Sequence, residues 1–204
     1  MPTCRFGEEI VAASQTLHGS GTFSEKSLRA LLAHAESLDI RCSAETGSGA
    51  STLVLSNLAQ RHIAFTVDSG SGSLTNVLNS PWFFKPPVEI VEGPTQITLP
   101  KYTFTEPLQF ALIDGPHGYP FPDLEYYYLY PHIEVGGILV VDDTQIRTIR
   151  NLFDFLCADN MWDLIQTVEN TAFFRRTSAP TFPTCGDGWW KQEYNKSAIN
   201  PGAV

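Results

Sequence analysis

Residues 45–52 of this 204-residue chain read Glu-Thr-Gly-Ser-Gly-Ala-Ser-Thr, an acidic residue followed by a glycine-rich turn and small hydroxyl side chains. The segment before it, 40–45, has the length of a strand but is unusually polar, with Arg41 and Ser43. The segment after it carries leucines and a valine at 53–58, which favours a helix. Glycines after a strand let the backbone approach a ligand closely, and the first turn of the next helix offers free N–H groups. The stretch therefore predicts a strand, a ligand-binding turn and a helix in succession.

Further along the chain, short apolar runs end in carboxylates. The runs cover 63–67, 88–91, 110–113 and 138–141, and they are followed by Asp68, by Glu92, by Asp114 and by the pair Asp142 and Asp143. Continuous apolar strands that alternate with helical stretches predict a parallel sheet covered on both faces. Segments 162–168 and 171–177 favour a closing antiparallel pair. We therefore predict an α/β fold, a three-layer Rossmann-like arrangement with a mostly parallel central sheet, helices on both faces and an antiparallel last strand.

Three segments have the pattern of helices: an amphipathic one over 24–38 with Ser24 as its cap, a short one near 74–78, and one over 144–157. The length suits one α/β domain. We expect a single domain over 1–204, with an N-terminal helical segment at 1–39, the core sheet at 40–177 and a C-terminal tail at 178–204.

The net charge and the cysteine content indicate which partners and which cellular compartment to expect. The formal net charge is −9 and no run of Lys or Arg occurs, so we expect neither nucleic acid nor an anionic membrane surface as a partner. The four cysteines form no CxxC pair, and no signal peptide or membrane-spanning apolar run is visible. The pattern indicates a reduced, cytoplasmic protein.

The acidic residues should share one edge of the sheet, because the carboxyl ends of neighbouring parallel strands lie at the same edge. Sheets of this kind bind their ligands beyond that edge. The turn has the form G-x-G-x-x-T, whereas a dinucleotide site would carry a third glycine, and no Gly-Lys-Ser/Thr is present. The acid at Glu45 suits a cationic ligand better than a phosphate. Asp68, at the end of the second predicted strand, is placed to accept hydrogen bonds from a ribose diol.

Three segments together resemble a known superfamily. Residues 45–52 with Asp68 resemble the cofactor-binding motifs of class I S-adenosylmethionine-dependent methyltransferases. Residues 110–119, Phe-Ala-Leu-Ile-Asp-Gly-Pro-His-Gly-Tyr, look like the Ile-Asp-Gly-x-His-x-Tyr segment of a small-molecule branch related to catechol O-methyltransferase. Residues 136–143, Gly-Gly-Ile-Leu-Val-Val-Asp-Asp, resemble its fifth-strand signature. The resemblance spans about Leu28 to Leu156.

The resemblance implies S-adenosylmethionine as cofactor and a small-molecule acceptor. Glu45, Gly47 and Ser51 would line the methionine and ribose side, Asp68 would hold the ribose, and Glu92 and Gly93 would border the adenine. The full set of implied cofactor-binding residues is Glu45, Gly47, Ser48, Gly49, Ser51, Asp68, Glu92, Gly93 and Asp114.

The carboxylates of Asp114, Asp142 and Asp143 would repel one another unless they are protonated or bound to a cation. Hard oxygen ligands suit Mg²⁺ or Ca²⁺, and these positions match the metal ligands of catechol-type enzymes. A metal there would lower the pKa of a substrate hydroxyl. The alternative is that Asp143 only caps the next helix.

Together with Asp114, His117 is the candidate catalytic group. It stands where catechol-type enzymes place a lysine that takes the substrate proton, and a histidine can act as general base. The alternative is that it only orients its loop.

Two other functions stay open: a nicotinamide-dependent oxidoreductase on the same fold, and a non-catalytic cofactor-binding protein. A homo-oligomer is compatible with the sequence. The terminal pair Trp189 and Trp190 fits a cover over the acceptor site, an oligomer interface or a tail docked on the sheet.

Overall fold

Seven strands form one sheet in the part of the chain that the structure, a computed structural model, describes: residues 3–17, 23–68, 70, 72–181, 188, 190 and 192–198. The strands are β1 (Cys42–Thr46), β2 (Arg61–Thr66), β3 (Val88–Glu92), β4 (Leu108–Ile113), β5 (Ile133–Val141), β6 (Trp162–Val168) and β7 (Thr171–Arg176). The helices are α1 (Gly7–Leu17), α2 (Glu25–Glu36), α3 (Ala50–Leu58), α4 (Ser73–Leu78), α5 (Thr95–Thr98), α6 (Phe121–Leu129), α7 (Arg147–Ala158) and α8 (Glu193–Ala198).

The strand order is β3-β2-β1-β4-β5-β7-β6. Strands β1 to β5 pair in parallel, and β7 runs antiparallel to both of its neighbours, β5 and β6. The predicted mostly parallel sheet with an antiparallel last strand is therefore confirmed. The chain proceeds outward from β1 to β3 and then returns to place β4 on the other side of β1. The β1/β4 boundary is thus the topological switch point, where α/β sheets bind ligands.

Two apolar clusters cover the two faces of the sheet. In β4, Phe110 and Leu112 face the cluster that contains α1, α2 and α3, whereas Ala111 and Ile113 face the cluster that contains α6 and α7. This alternation is what a strand buried on both sides requires, because successive side chains point to opposite faces. The predicted three-layer arrangement is confirmed.

Local signals explain several boundaries. Ser24 caps α2 as predicted, since its Oγ accepts a hydrogen bond from the Ser27 N–H at 3.0 Å. Helix α7 begins at Arg147, three residues later than predicted, because the Thr144 N–H bonds to the Asn170 carbonyl and the Ile146 N–H bonds to the Asp143 carbonyl. These bonds hold the residues after β5 in a turn.

Helix α1 lies within the N-terminal segment predicted to be helical, although its bounds were not predicted, and α6 was not predicted. Helix α6 begins Phe121-Pro122, where proline fits the first turn because its missing N–H is not needed there. Its tyrosines divide between the core and solvent: Tyr126 is buried and its hydroxyl accepts a hydrogen bond from the indole N–H of Trp162, whereas Tyr127 is exposed. Trp190 is half exposed, and Trp189 lies outside the described residues.

None of the helices among the described residues has both the length and the apolar composition needed to span a bilayer.

The central strands should dominate stability. We expect Leu112→Ala, at a side chain with no exposure in β4, to lower the free energy of unfolding by about 2–5 kcal/mol. The same substitution at Leu164 on the edge strand β6, which is 44% exposed, should cost about 0.5 kcal/mol or less. Urea unfolding of both variants measures the difference, and equal losses would contradict this account of the core.

Candidate active site

The turn between β1 and α3 packs directly on the end of β4. Gly47 has φ +92°, and a Cβ atom there would lie 2.5 Å from the carbonyl oxygen of Asp114. Only glycine meets both conditions, because other residues rarely adopt this φ and would collide with backbone. The Gly47 N–H also donates to the Phe65 carbonyl at 2.9 Å, which ties the turn to β2. The ends of β1, β2 and β4 are therefore fixed relative to one another.

Glu45 lies inside the protein beneath this turn, with its side chain only 1% exposed. Its Oε2 accepts a hydrogen bond from the Ser51 hydroxyl at 2.7 Å, and its Oε1 accepts one from Thr52 and lies 3.0 Å from Nε2 of His62. The other ring nitrogen of His62 pairs with the hydroxyl of Ser43 at 2.9 Å. The polar composition of β1 thus serves a buried network that holds the first turn of α3. Direct contact of Glu45 or Ser51 with a cofactor stays a prediction.

The remaining small residues of the turn are held by hydroxyl groups. The Gly49 N–H donates to the Thr52 hydroxyl at 2.9 Å, and the Ser48 hydroxyl pairs with that of Thr66 at 2.9 Å. Thr66 is the last residue of β2, so this hydrogen bond links the turn to the end of β2.

Asp68 and Glu92 lie on the same edge as the turn, and both are exposed. Asp68 follows β2 by two residues and accepts a hydrogen bond from Thr75 at 3.2 Å. Glu92 pairs in register with Thr66, and the Gly93 N–H donates to the Thr66 carbonyl at 2.9 Å. The residues predicted to contact ribose and adenine therefore sit beside the glycine turn.

Three side chains meet at the ends of β4 and β5. Nε2 of His117 lies 2.9 Å from Oδ2 of Asp143 and 3.8 Å from Oδ1 of Asp114. The contact with Asp143 has the distance of an ion pair without the alignment of a hydrogen bond, so the shielded Nε2 has no hydrogen-bond partner among the described residues. The three residues offer one ligand atom each within 4.8 Å of one another, a group able to hold a metal ion.

Asp142 does not join this group of ligand atoms. It is 9% exposed, and its carboxylate accepts a hydrogen bond from the hydroxyl of Thr171 on β7. Asp143 has a left-handed backbone conformation, with φ +57°, which residues other than glycine adopt infrequently. Its Oδ1 accepts a hydrogen bond from the Gln145 side chain at 2.7 Å. The predicted ligand set of Asp114, Asp142 and Asp143 is therefore only partly brought together, because β7 supplies Asp142 with a partner and His117 takes the third place.

Three titratable groups at the ends of β4 and β5 have raised pKa values. Burial, reinforced by the neighbouring carboxylates, raises the pKa of Asp142 to about 7. Burial also raises the pKa of Asp114 to about 6, against the opposing effect of His117. The Asp114 carboxylate, with Asp143 and Asp142 as lesser contributors, raises the pKa of His117 above its ordinary 6.5. Such shifts are typical of groups that exchange protons or bind cations.

Sequence reasoning missed Glu125 on α6. Its side chain has no exposure, and its Oε2 accepts a hydrogen bond from the Thr46 hydroxyl at 2.7 Å. Burial raises the pKa of Glu125 to about 7, against the opposing effects of the Thr46 and Thr95 hydroxyls. The one available signal was an acidic residue followed at once by a run of tyrosines.

The loop that carries His117 is also hydrogen-bonded to helix α7. The hydroxyl of Thr148 on α7 donates to the His117 carbonyl. The imidazole thus stands on a backbone held from β4 and from α7.

The sequence matches one family of known proteins. Residues 44–144 match the family described as a methyltransferase domain, a segment that runs from β1 past the end of β5. It includes the glycine turn, Asp68, Gly93 and the three-residue cluster. A search of curated protein sequences found no match.

Solved structures share the fold. The O-methyltransferase TomG of Streptomyces achromogenes, involved in tomaymycin synthesis and bound to S-adenosylmethionine, is 15% identical and superposes with a TM-score of 0.63 over 85% of this chain and 90% of its own. The O-methyltransferase of Bacillus cereus with S-adenosylhomocysteine is 16% identical, with a TM-score of 0.62 over 86% and 93%. The Podospora anserina methyltransferase with S-adenosylhomocysteine is 13% identical, with a TM-score of 0.63 over 85% and 88%.

At these identities the likeness establishes the fold, and the family match supplies the relationship over the segment that forms the site. Because the sheet, its switch point and the matched segment agree, residues 44–144 form a methyltransferase domain on the fold that these S-adenosylmethionine-dependent enzymes share.

Proposed function

We propose that this protein transfers the methyl group of S-adenosylmethionine to a hydroxyl oxygen of a small molecule. The observation that carries the proposal is the position of His117, whose Nε2 lies beside Asp143 at the end of β5 and Asp114 at the end of β4. The carbonyl of Asp114 in turn packs against the glycine turn. A base and a cofactor cradle thus share one edge. Structural neighbours described as O-methyltransferases, two of them with the cofactor or its product bound, support the same reaction.

The cofactor would lie along the edge formed by the β1, β2 and β3 ends. Gly47 allows its close approach to the backbone, the exposed carboxylate of Asp68 would accept hydrogen bonds from the ribose diol, and Gly93 would border the adenine. The cradle would be supported from the protein side by residues whose hydrogen bonds are made within the protein: Glu45, Ser48, Gly49 and Ser51. The other end of the cofactor would then reach the switch point beside Asp114.

The chemistry is a displacement at carbon. The acceptor oxygen attacks the methyl carbon as the carbon–sulfur bond breaks, and the sulfonium becomes the neutral thioether S-adenosylhomocysteine. The acceptor's proton passes to the imidazole of His117, whose side chain is 41% exposed, and the carboxylates of Asp143 and Asp114 stabilise the imidazolium that forms. The remaining contribution is orientation of the oxygen in line with the carbon–sulfur bond.

The same cluster also fits a divalent metal ion. Asp114 and Asp143 offer carboxylate oxygens and His117 offers a ring nitrogen, and that nitrogen has no hydrogen-bond partner within the described chain. A ligand set with imidazole suits Mn²⁺ or a later transition metal as well as the Mg²⁺ or Ca²⁺ that three carboxylates would favour. When bound, such an ion would lower the pKa of an acceptor hydroxyl.

Free thiols at Cys4, Cys42 and Cys157 are in keeping with the cytoplasm as the compartment we propose.

Gly47→Ala should abolish measurable binding of S-adenosylmethionine, because the new methyl group collides with the Asp114 carbonyl and distorts the cradle. Gly136→Ala is the matched control: its φ of +88° imposes the same backbone cost, but nothing lies within 4 Å and it sits in the early part of β5. Isothermal titration should show wild-type affinity for the control, and no binding of NAD to either protein. Tight NAD binding to the wild type would instead favour the oxidoreductase.

His117→Ala should lower kcat for methyl transfer by about 10²–10⁴-fold, the usual contribution of a general base, and change the cofactor Kd by less than about threefold. Formation of S-adenosylhomocysteine over a panel of phenols, sugars and hydroxy acids measures it. Activity that survives EDTA supports His117 as base, whereas activity lost to EDTA and restored by Mn²⁺ or Mg²⁺ assigns the cluster to a metal. Equal activity in the variant and the wild type would contradict both roles.

The pH profile of kcat/KM, recorded with EDTA, should fall on the acid side with an inflection above 6.5. The base must be neutral, and the Asp114 carboxylate holds the proton on His117 more tightly than usual. Asp114→Asn removes that charge, so its acid limb should move to lower pH. A limb that stays in place or moves to higher pH would show that His117 is not the group being titrated.

A further inference from the structure

Glu125 is a buried carboxylate that the proposed reaction does not use, and it lies among the ends of three strands. Its Oε2 accepts a hydrogen bond from the hydroxyl of Thr46 at 2.7 Å. The same hydroxyl oxygen accepts a hydrogen bond from the Asp114 N–H at 3.2 Å. One hydroxyl group therefore links Glu125 to the first residue of the base-bearing loop.

The carboxylate also supports that loop by direct packing. A Cβ atom on Gly115 would lie 2.2 Å from Oε1 and 2.6 Å from Oε2 of Glu125, so the glycine backbone rests on the carboxylate. His117 follows two residues later. The position of the imidazole thus depends on a short segment whose inner side is set by Glu125.

A third neighbour of Glu125 lies on the side predicted to border the adenine. The hydroxyl of Thr95, two residues past Gly93, lowers the pKa of the Glu125 carboxyl. Both Oε1 of Glu125 and Oγ1 of Thr95 are buried without a hydrogen-bond partner in the described part of the chain. Buried polar atoms strongly favour pairing, so Thr95 is a candidate partner for the second oxygen of the Glu125 carboxyl.

We propose that Glu125 is a positioning residue that links the ends of β1 and β4 and sets where His117 stands relative to the bound cofactor. This inference rests on the proposed function for its kinetic readout only. Thr46 ends β1, Thr95 begins α5 and Gly115 follows β4, so one carboxyl group lies among three elements around the cradle.

Glu125→Ala should lower kcat per cofactor-binding site by about 10–100-fold, in line with the cost of misplacing a reacting group by about 1 Å. The Kd of S-adenosylmethionine should change by less than about threefold. Glu125→Gln should recover most of the rate, since its amide oxygen can accept from Thr46 and its NH₂ group can donate to Thr95. A role in stability alone would leave kcat per binding site unchanged.

Asp159→Ala is the matched control, because Asp159 is also a buried acid, 5% exposed, and accepts a hydrogen bond from the Met161 N–H at 2.8 Å at the far end of α7. It should keep wild-type kcat per binding site. If Glu125→Ala does not fold, Thr46→Val removes the linking hydroxyl and should reproduce the loss.

Amide hydrogen exchange tests the inference without any acceptor. The Asp114 N–H should exchange about tenfold or more faster in Glu125→Ala or Thr46→Val, and at the wild-type rate in Glu125→Gln and Asp159→Ala. Unchanged protection of Asp114 in both Glu125→Ala and Thr46→Val overturns the inference. A wild type that methylates nothing on the panel overturns the proposed function, and the exchange rates then decide the inference alone.

Discussion

The backbone contact between Gly47 and the carbonyl of Asp114 is the constraint on which the rest of the site depends. It joins β1 to β4 at the point where the strand order reverses, and it leaves no room for a side chain. The glycine turn that would cradle a nucleoside is therefore in direct backbone contact with the loop that carries His117. This packing would place the proposed base beside the proposed cofactor cradle.

The carboxylates of this edge divide into two kinds. Glu45, Glu125 and Asp142 are buried and accept hydrogen bonds from hydroxyl groups of neighbouring elements. These bonds hold the neighbouring segments of the chain in place. Asp68 and Glu92 face solvent and are free to meet a ligand. Burying a carboxylate is costly unless it is hydrogen-bonded. This explains why each of these three residues has a serine or threonine hydroxyl beside it. An acidic edge is thus mainly an internal scaffold here, with a smaller part available for binding.

The sheet was predictable because its signals are local. Apolar runs of strand length, glycines after the first of them and acids at their ends reflect burial and backbone geometry that each segment carries by itself. The cluster was only partly predictable: whether Asp142 or His117 stands beside Asp114 and Asp143 depends on Thr171, a partner on a strand nearly thirty residues later. Glu125 was missed because its significance depends on Thr46 and Gly115, which lie on other elements and which no local pattern in α6 indicates.

The most direct test of this account is a crystal structure with S-adenosylhomocysteine. The account requires the nucleoside to lie against Gly47 with its ribose on Asp68, its adenine beside Gly93 and its sulfur end directed toward the Asp114–His117 loop. Density for the ligand on any other surface, or with the sulfur end turned away from that loop, would contradict it.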